Sequence, residues 1–211
     1  MFKFWGDGSD LSKQLVDSVV VRSTQNFNWT FIFILAVVFY VYWTEISKKN
    51  YKAVVAGLAL YGVHWMYEIA NAIIAHVFGY PLWTVSNEST TFILLIGVCW
   101  ELSMMFSLAG IISYKMLPEN PSNKRKLLGA LEMALLFALF ESFLAGTSNN
   151  SFIWVYKWWG VIPVFITTYI PFFLASNFVP FMKERNQKIF LISLWSLVAI
   201  LLIVLIPLGV I

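Results

Sequence analysis

The chain has 211 residues, of which 60% are apolar and only 12% charged, against about 25% charged in ordinary soluble domains. Mean hydropathy is +0.76, and the apolar residues come in long runs rather than on periodic faces, which marks a polytopic, all-α membrane protein. The composition excludes a disordered chain and a nucleic-acid binder. The single cysteine, Cys99, excludes an intrachain disulfide and a thiolate metal site, and the net charge of +3 is small and lies in loops.

The first 27 residues lack the apolar core of a signal peptide. Within them, residues 10–21 predict a short amphipathic helix with Leu11, Leu15 and Val19 on one side, lying on the membrane surface rather than crossing it. The chain thus divides into an N-terminal interfacial segment, 1–27, and one transmembrane domain, 28–211.

A spanning helix needs about 20 mostly apolar residues. Six stretches meet this: 29–46, 51–78, 90–114, 127–145, 158–181 and 189–211. The loops between them alternate in charge. Lys48, Lys49 and Lys52 mark the first, Lys115, Lys124, Arg125 and Lys126 the third, and Lys183, Arg185 and Lys188 the fifth, whereas the second has none and the fourth only Lys157. The positive-inside rule places loops one, three and five in the cytoplasm and both termini on the non-cytoplasmic side. Tyr80, Trp83, Trp154, Tyr156, Trp158 and Trp159 then fall at the outer face and read as an aromatic belt. Three sequons, at Asn28, Asn87 and Asn149, fall on the same side.

Ionisable residues inside spans are expensive and point to function. On the second span His64 and Glu68 are four apart and share a face, which Tyr61 and Asn71 extend by a turn each way. The third span carries Glu101 and the fourth Glu132 and Glu141. At a rise of 1.5 Å per residue, His64 and Glu101 lie near mid-span, with Glu68 about 5 Å and Glu141 about 7 Å toward the outside. Three carboxyls and an imidazole from three helices share one layer, and a common cavity lets them hydrogen-bond one another. The alternative is interhelical glue, a use membrane helices do make of polar side chains. Glu132, near the inner surface, suits a pair with Lys124 or Arg125, and His76 an interfacial site at its helix end.

Trp65, Trp100, Phe137 and Phe140 stand near the acids and fit either a pocket wall or ordinary packing. Pro163 and Pro171 kink the fifth span, where Thr167 and Thr168 can satisfy freed carbonyls. The last span has no ionisable group after Lys188 and reads as lipid-facing packing.

An internal echo runs through the middle of the chain. Tyr67-Glu68 is followed by Pro81-Leu82-Trp83 and then by Gly97-Val98. Phe140-Glu141 is followed by Phe152-Ile153-Trp154 and then by Gly160-Val161. This order of acid, Trp-containing turn and next span resembles the small integral-membrane carotenoid enzymes of the lycopene cyclase domain and carotenoid hydratase types. Residues 97–106, with Trp100-Glu101, are similar to the Trp-Glu span of the membrane terpene cyclases of fungal meroterpenoid pathways. The Pro-x-Glu-Glu signature of the cyclase domain is absent. The resemblance covers about residues 60–175 and implies isoprenoid chemistry.

Two main functions remain open. One is an integral membrane enzyme in which Glu68, Glu101 and Glu141 act as proton donors and bases, with His64 tuning Glu68. Tyr61, Trp65, Asn71, Trp100 and Phe137 would line its site for a membrane lipid or isoprenoid substrate, with no cofactor. The other is a small transporter, channel or proton-conducting subunit, for which a homo-oligomer would supply the pore. A metal held by His64, Glu68, Glu101 and Glu141 is the third alternative.

Overall fold

The structure, a computed structural model, describes residues 2–24, 29–86, 92–147 and 152–211. The three sequon asparagines, Asn28, Asn87 and Asn149, lie outside the described residues. In chain order the elements are α1 (Asp10–Asp17), α2 (Thr30–Ser47), α3 (Tyr51–Phe78), β1 (Trp83–Val85), β2 (Ile93–Leu95), β3 (Val98–Cys99), α4 (Trp100–Lys115), α5 (Asn123–Ala145), β4 (Phe152–Trp154), α6 (Val161–Phe181) and α7 (Glu184–Leu205).

Helices α2, α3, α5, α6 and α7 are long and apolar enough to cross a membrane. The third span differs from the sequence expectation. Its helix begins at Trp100 rather than residue 90 and has 16 residues, about 24 Å. Ahead of it, Ile93–Leu95 and Val98–Cys99 pair as an antiparallel hairpin around Ile96-Gly97. A short apolar run does not distinguish a buried strand from a helix, and here β-branched Ile93 and Val98 flank a glycine turn.

α3 is the hub of the bundle. Its Ala53, Ala56, Gly57 and Leu60 are buried, and small residues on α4, Ala109 and Gly110, let the two backbones approach closely. α2 and α7 lie at the periphery with almost all of their apolar surface outward, as lipid-facing helices do. Of the prolines in α6, Pro163 lies in its first turn, and a six-residue π-helical stretch, Val164–Tyr169, precedes the missing amide of Pro171. Within it Thr167 Oγ1 donates to the Pro163 carbonyl at 2.7 Å.

At one end of the bundle the loops form a cap. β1 pairs antiparallel with β4, with Trp83 opposite Trp154. Residues 2–6 lie against this cap: the Gly6 amide donates to Trp159 O at 2.8 Å, the Val161 amide to Phe4 O at 3.0 Å and the Lys3 amide to Ser142 O at 3.1 Å. α1 follows, capped by Ser9, whose Oγ accepts from the Ser12 amide at 3.1 Å. Its buried residues are Ser12 and Val16; of the expected stripe Leu15 and Val19 are half-buried, Leu15 with Val16 on Ile153 and Val155 of the cap and Val19 on the main core, while Leu11 stays exposed. Beside it, burial raises the Asp7 carboxyl, but hydrogen bonds from Ser12, the Ser9 amide and hydroxyl, and Lys3 outweigh burial and hold it well below the usual aspartate range. The C-terminal residue lies at this end too, where Arg22 Nη2 donates to Ile211 O at 3.2 Å. At the opposite end Glu45 of α2, which sequence reading passed over, is buried and accepts from Lys115 and, at 2.6 Å, from Asn50 Nδ2.

Candidate functional site

The site grows out of the internal echo. In each half an inward-facing acid on a helix accepts a hydrogen bond from the indole of the strand that follows. Trp83 Nε1 points between both oxygens of Glu68, 3.3 Å from each. Trp154 Nε1 donates to Glu141 Oε1 at 2.6 Å. Because Trp83 and Trp154 face each other across the β1–β4 pair, the two acid–indole units come together about one local axis.

The halves differ in their second partner. Glu141 Oε2 accepts from the Tyr169 hydroxyl at 2.5 Å, so both of its oxygens are engaged. Glu68 Oε1 lies 3.4 Å from His64 Nε2, within ion-pair range but not aligned as a hydrogen bond, and neither imidazole nitrogen has a hydrogen-bond partner. The imidazole stacks on Phe106 with ring centres 4.3 Å apart and is flanked on α3 by Tyr61.

These groups share one cavity of about 50 Å³, room for a few waters. His64, Glu68, Glu141 and the unpartnered hydroxyl of Thr168 supply its polar atoms, and Phe106, Phe137, Tyr169 and Phe172 much of its wall. The wall is thin between α4 and α5, which touch little. There Met105 and Phe140 line the cavity yet are 44% and 49% exposed on the apolar surface.

Two glycines permit these approaches. A Cβ at Gly97 would stand under 3.0 Å from the Asn71 amide, the Glu68 carboxylate and the Trp83 indole. A Cβ at Gly160, its counterpart in the second half, would strike Phe4 O and Trp5.

The other sequence-selected residues are placed as follows. Glu101 is in the first turn of α4 beside the Cys99 thiol and is not among the cavity-lining residues. Trp100 packs on Phe31 in the first turn of α2. Tyr61 bonds Ser103 Oγ at 2.8 Å and stacks edge-on against Trp195 of α7, and Trp65 packs in that same peripheral layer. Asn71 is a clamp for the cap: its Nδ2 donates to Trp83 O at 2.9 Å and its Oδ1 accepts from the Leu82 amide at 2.8 Å. Phe137 and Phe140 do line the cavity. Glu132 pairs with Arg125 at 3.0 Å, and His76 is exposed at the end of α3, both as the sequence indicated.

The aromatic-belt assignment needs correction. Trp154 is 0% exposed, and Trp83 and Trp159 are also buried, while Trp158 alone of the four tryptophans stays outside at 58%. Strand pairing turns the indoles inward, where each of the first two meets a carboxylate. Their sequence signal was the recurring acid-to-Trp spacing, 15 residues in one half and 13 in the other. Tyr169 had no comparable signal. Among the described residues no group of three His, Cys, Asp or Glu side chains is arranged to hold a metal ion.

Comparison with known proteins gives the family without a function. An uncharacterized protein of Archaeoglobus fulgidus is 34% identical over 196 residues, covering 88% of this chain and 91% of its own length. No solved structure matches. A family model matches residues 12–207, from α1 through α7, and the chain belongs to that uncharacterized membrane protein family.

Proposed function

We propose that the protein is an integral membrane enzyme performing acid–base chemistry on an unsaturated apolar substrate, an isoprenoid or related lipid, taken from the bilayer. The observation that carries this reading is the single cavity holding His64, Glu68 and Glu141 behind an aromatic wall that thins toward the apolar surface at Met105 and Phe140. An ion pathway calls for polar walls reaching both aqueous faces, whereas this wall is overwhelmingly apolar.

The two acids take different parts. Glu68, with a loosely shared indole hydrogen and His64 behind it, holds the mobile proton. Glu141, with both oxygens accepting from fixed donors, is the stationary carboxylate. Glu68 gives its proton to one carbon of a double bond, so a C–H bond forms as the π bond is consumed. The cation sits beside Glu141 and against the faces of Phe106, Phe137 and Tyr169. A neighbouring carbon then returns a proton to the Glu68–His64 pair and a double bond re-forms. The net result is double-bond isomerisation, or cyclisation where a second double bond of the substrate attacks the cation and forms a ring C–C bond before the proton is lost, with no cofactor. The lysine-bearing end is cytoplasmic in this reading, by the positive-inside rule.

The test is incubation of unlabelled polyprenoids in deuterated buffer with membranes containing the expressed protein, followed by mass spectrometry of the apolar lipids. Wild type should generate a rearranged lipid carrying deuterium at a carbon, and Glu68→Gln should lose it while keeping a normal yield of folded protein. If no lipid changes, and the purified protein instead dissipates a proton gradient across liposomes in a Glu68-dependent way, the acids serve conduction and the enzyme reading falls.

A further inference from the structure

At the end of the bundle remote from the acids, two ammonium groups from different helices converge on one ring. Lys52, in the first turn of α3, lies over Phe181 with Nζ 5.4 Å from the ring centre. Lys126, in the first turn of α5, lies over the same ring at 4.8 Å and over Phe178 at 5.3 Å. Among the described residues neither has an ion-pair partner, in contrast to Lys115 with Glu45 and Arg125 with Glu132. The nearby buried carboxylate, Glu45, is already taken by Lys115 and Asn50. Lys126 is held in place from both ends: its carbonyl accepts from Asn177 Nδ2 at 3.2 Å and its Nζ donates to Asn123 Oδ1 at 3.0 Å.

Because each Nζ lies within 5.4 Å of the same ring centre, the two ammoniums stand no more than about 10 Å apart, and like charges at that range repel unless an anion lies between them, the ring offsetting only part of that. The remaining donors of both ammoniums are free to meet an oxygen anion at charge-assisted distance. The pair sits where apolar helices end, the depth of lipid headgroups. We propose that Lys52, Lys126 and Phe181 form a binding site for the phosphate of an anionic membrane lipid. The site is independent of the chemistry proposed for the acid cavity.

Native mass spectrometry of the detergent-purified protein reads lipid retention on folded molecules only. Phosphatidylglycerol should be retained by wild type well above phosphatidylcholine. Lys52→Gln and Lys126→Gln should each weaken retention about fivefold, the effect of losing about 1 kcal/mol per interfacial lysine, while Lys52→Arg and Lys126→Arg should retain it. Lys49→Gln, a nearby loop lysine outside the pair, should leave it unchanged. The proposal is overturned if the double Gln variant holds phosphatidylglycerol as wild type does, or if Lys49→Gln weakens retention equally, which would make the attraction diffuse. It is overturned as a lipid site if inorganic phosphate at millimolar concentration displaces the lipid completely.

Discussion

Trp154→Phe and Trp83→Phe form a matched pair, because both remove one indole N–H from a buried carboxylate and both indoles are buried. The packing lost is therefore similar, and the difference isolates the hydrogen bonds. Trp154 donates a single short bond of 2.6 Å to Glu141, the length of a charge-assisted contact, and its loss should cost about 2–3 kcal/mol beyond packing. Trp83 shares its hydrogen between two Glu68 oxygens at 3.3 Å, and its loss should cost about 1 kcal/mol beyond packing. Unfolding in mixed micelles titrated with sodium dodecyl sulfate, followed by far-ultraviolet circular dichroism, reads the difference. Trp154→Phe should be the less stable variant by about 1–2 kcal/mol. In the Glu141→Gln background its penalty should shrink, as the partner of the bond is then neutral. Equal losses for the two variants, or a larger loss for Trp83→Phe, would refute the assignment of Glu141 as the tightly held acid.

Gly97→Ala should displace the Glu68–Trp83–Asn71 contacts that a Cβ would overlap; loss of lipid product together with a stability loss of about 2 kcal/mol or more in the same titration is expected. Lys115→Ala strands the buried Glu45 carboxylate with Asn50 alone and should cost about 2 kcal/mol, part of which Glu45→Gln in the same background should restore. Asp7 has a folded pKa below its unfolded one. The stability it contributes is therefore present above the ordinary aspartate range, near pH 3.9, and is lost as the pH falls below it. Melting temperatures of wild type and Asp7→Asn should accordingly differ at pH 6 and converge on acidification. A gap that widens toward low pH would contradict this sign.

The helices were legible because crossing a bilayer demands long apolar runs, and α2, α3, α5, α6 and α7 each contain one. The break before α4 was not, since the residues from Phe92 to Cys99 are apolar enough for either a strand or a helix and only pairing within the hairpin decides. Depth along a helix was largely readable: Glu68 and Glu141, both expected outward of mid-span, do meet His64 at one cavity. The direction a side chain faces around the helix is set by its neighbours, which one dimension does not contain. Glu101 was expected at that depth from a span beginning at residue 90, but its helix begins at Trp100 and its side chain lies beside Cys99. The echo of acid, tryptophan and glycine in two halves carried more structural information than its few positions implied, since both tryptophans turned out to be the acids' donors.

The β1–β4 pair also sets an order of events during synthesis. Its two strands are about 70 residues apart in the chain, so α3, the hairpin and α4 emerge long before Phe152–Trp154 exists. Until then β1 presents an unsatisfied edge, clamped by Asn71 but open on its other side, at the rim of a half-built bundle. A chain stopped after α4 holds Glu68 and His64 without the opposite wall, and a second nascent copy offers the same edge in the same orientation. The last strand to arrive therefore closes the cap, and with it removes the surface through which incomplete copies would pair with one another.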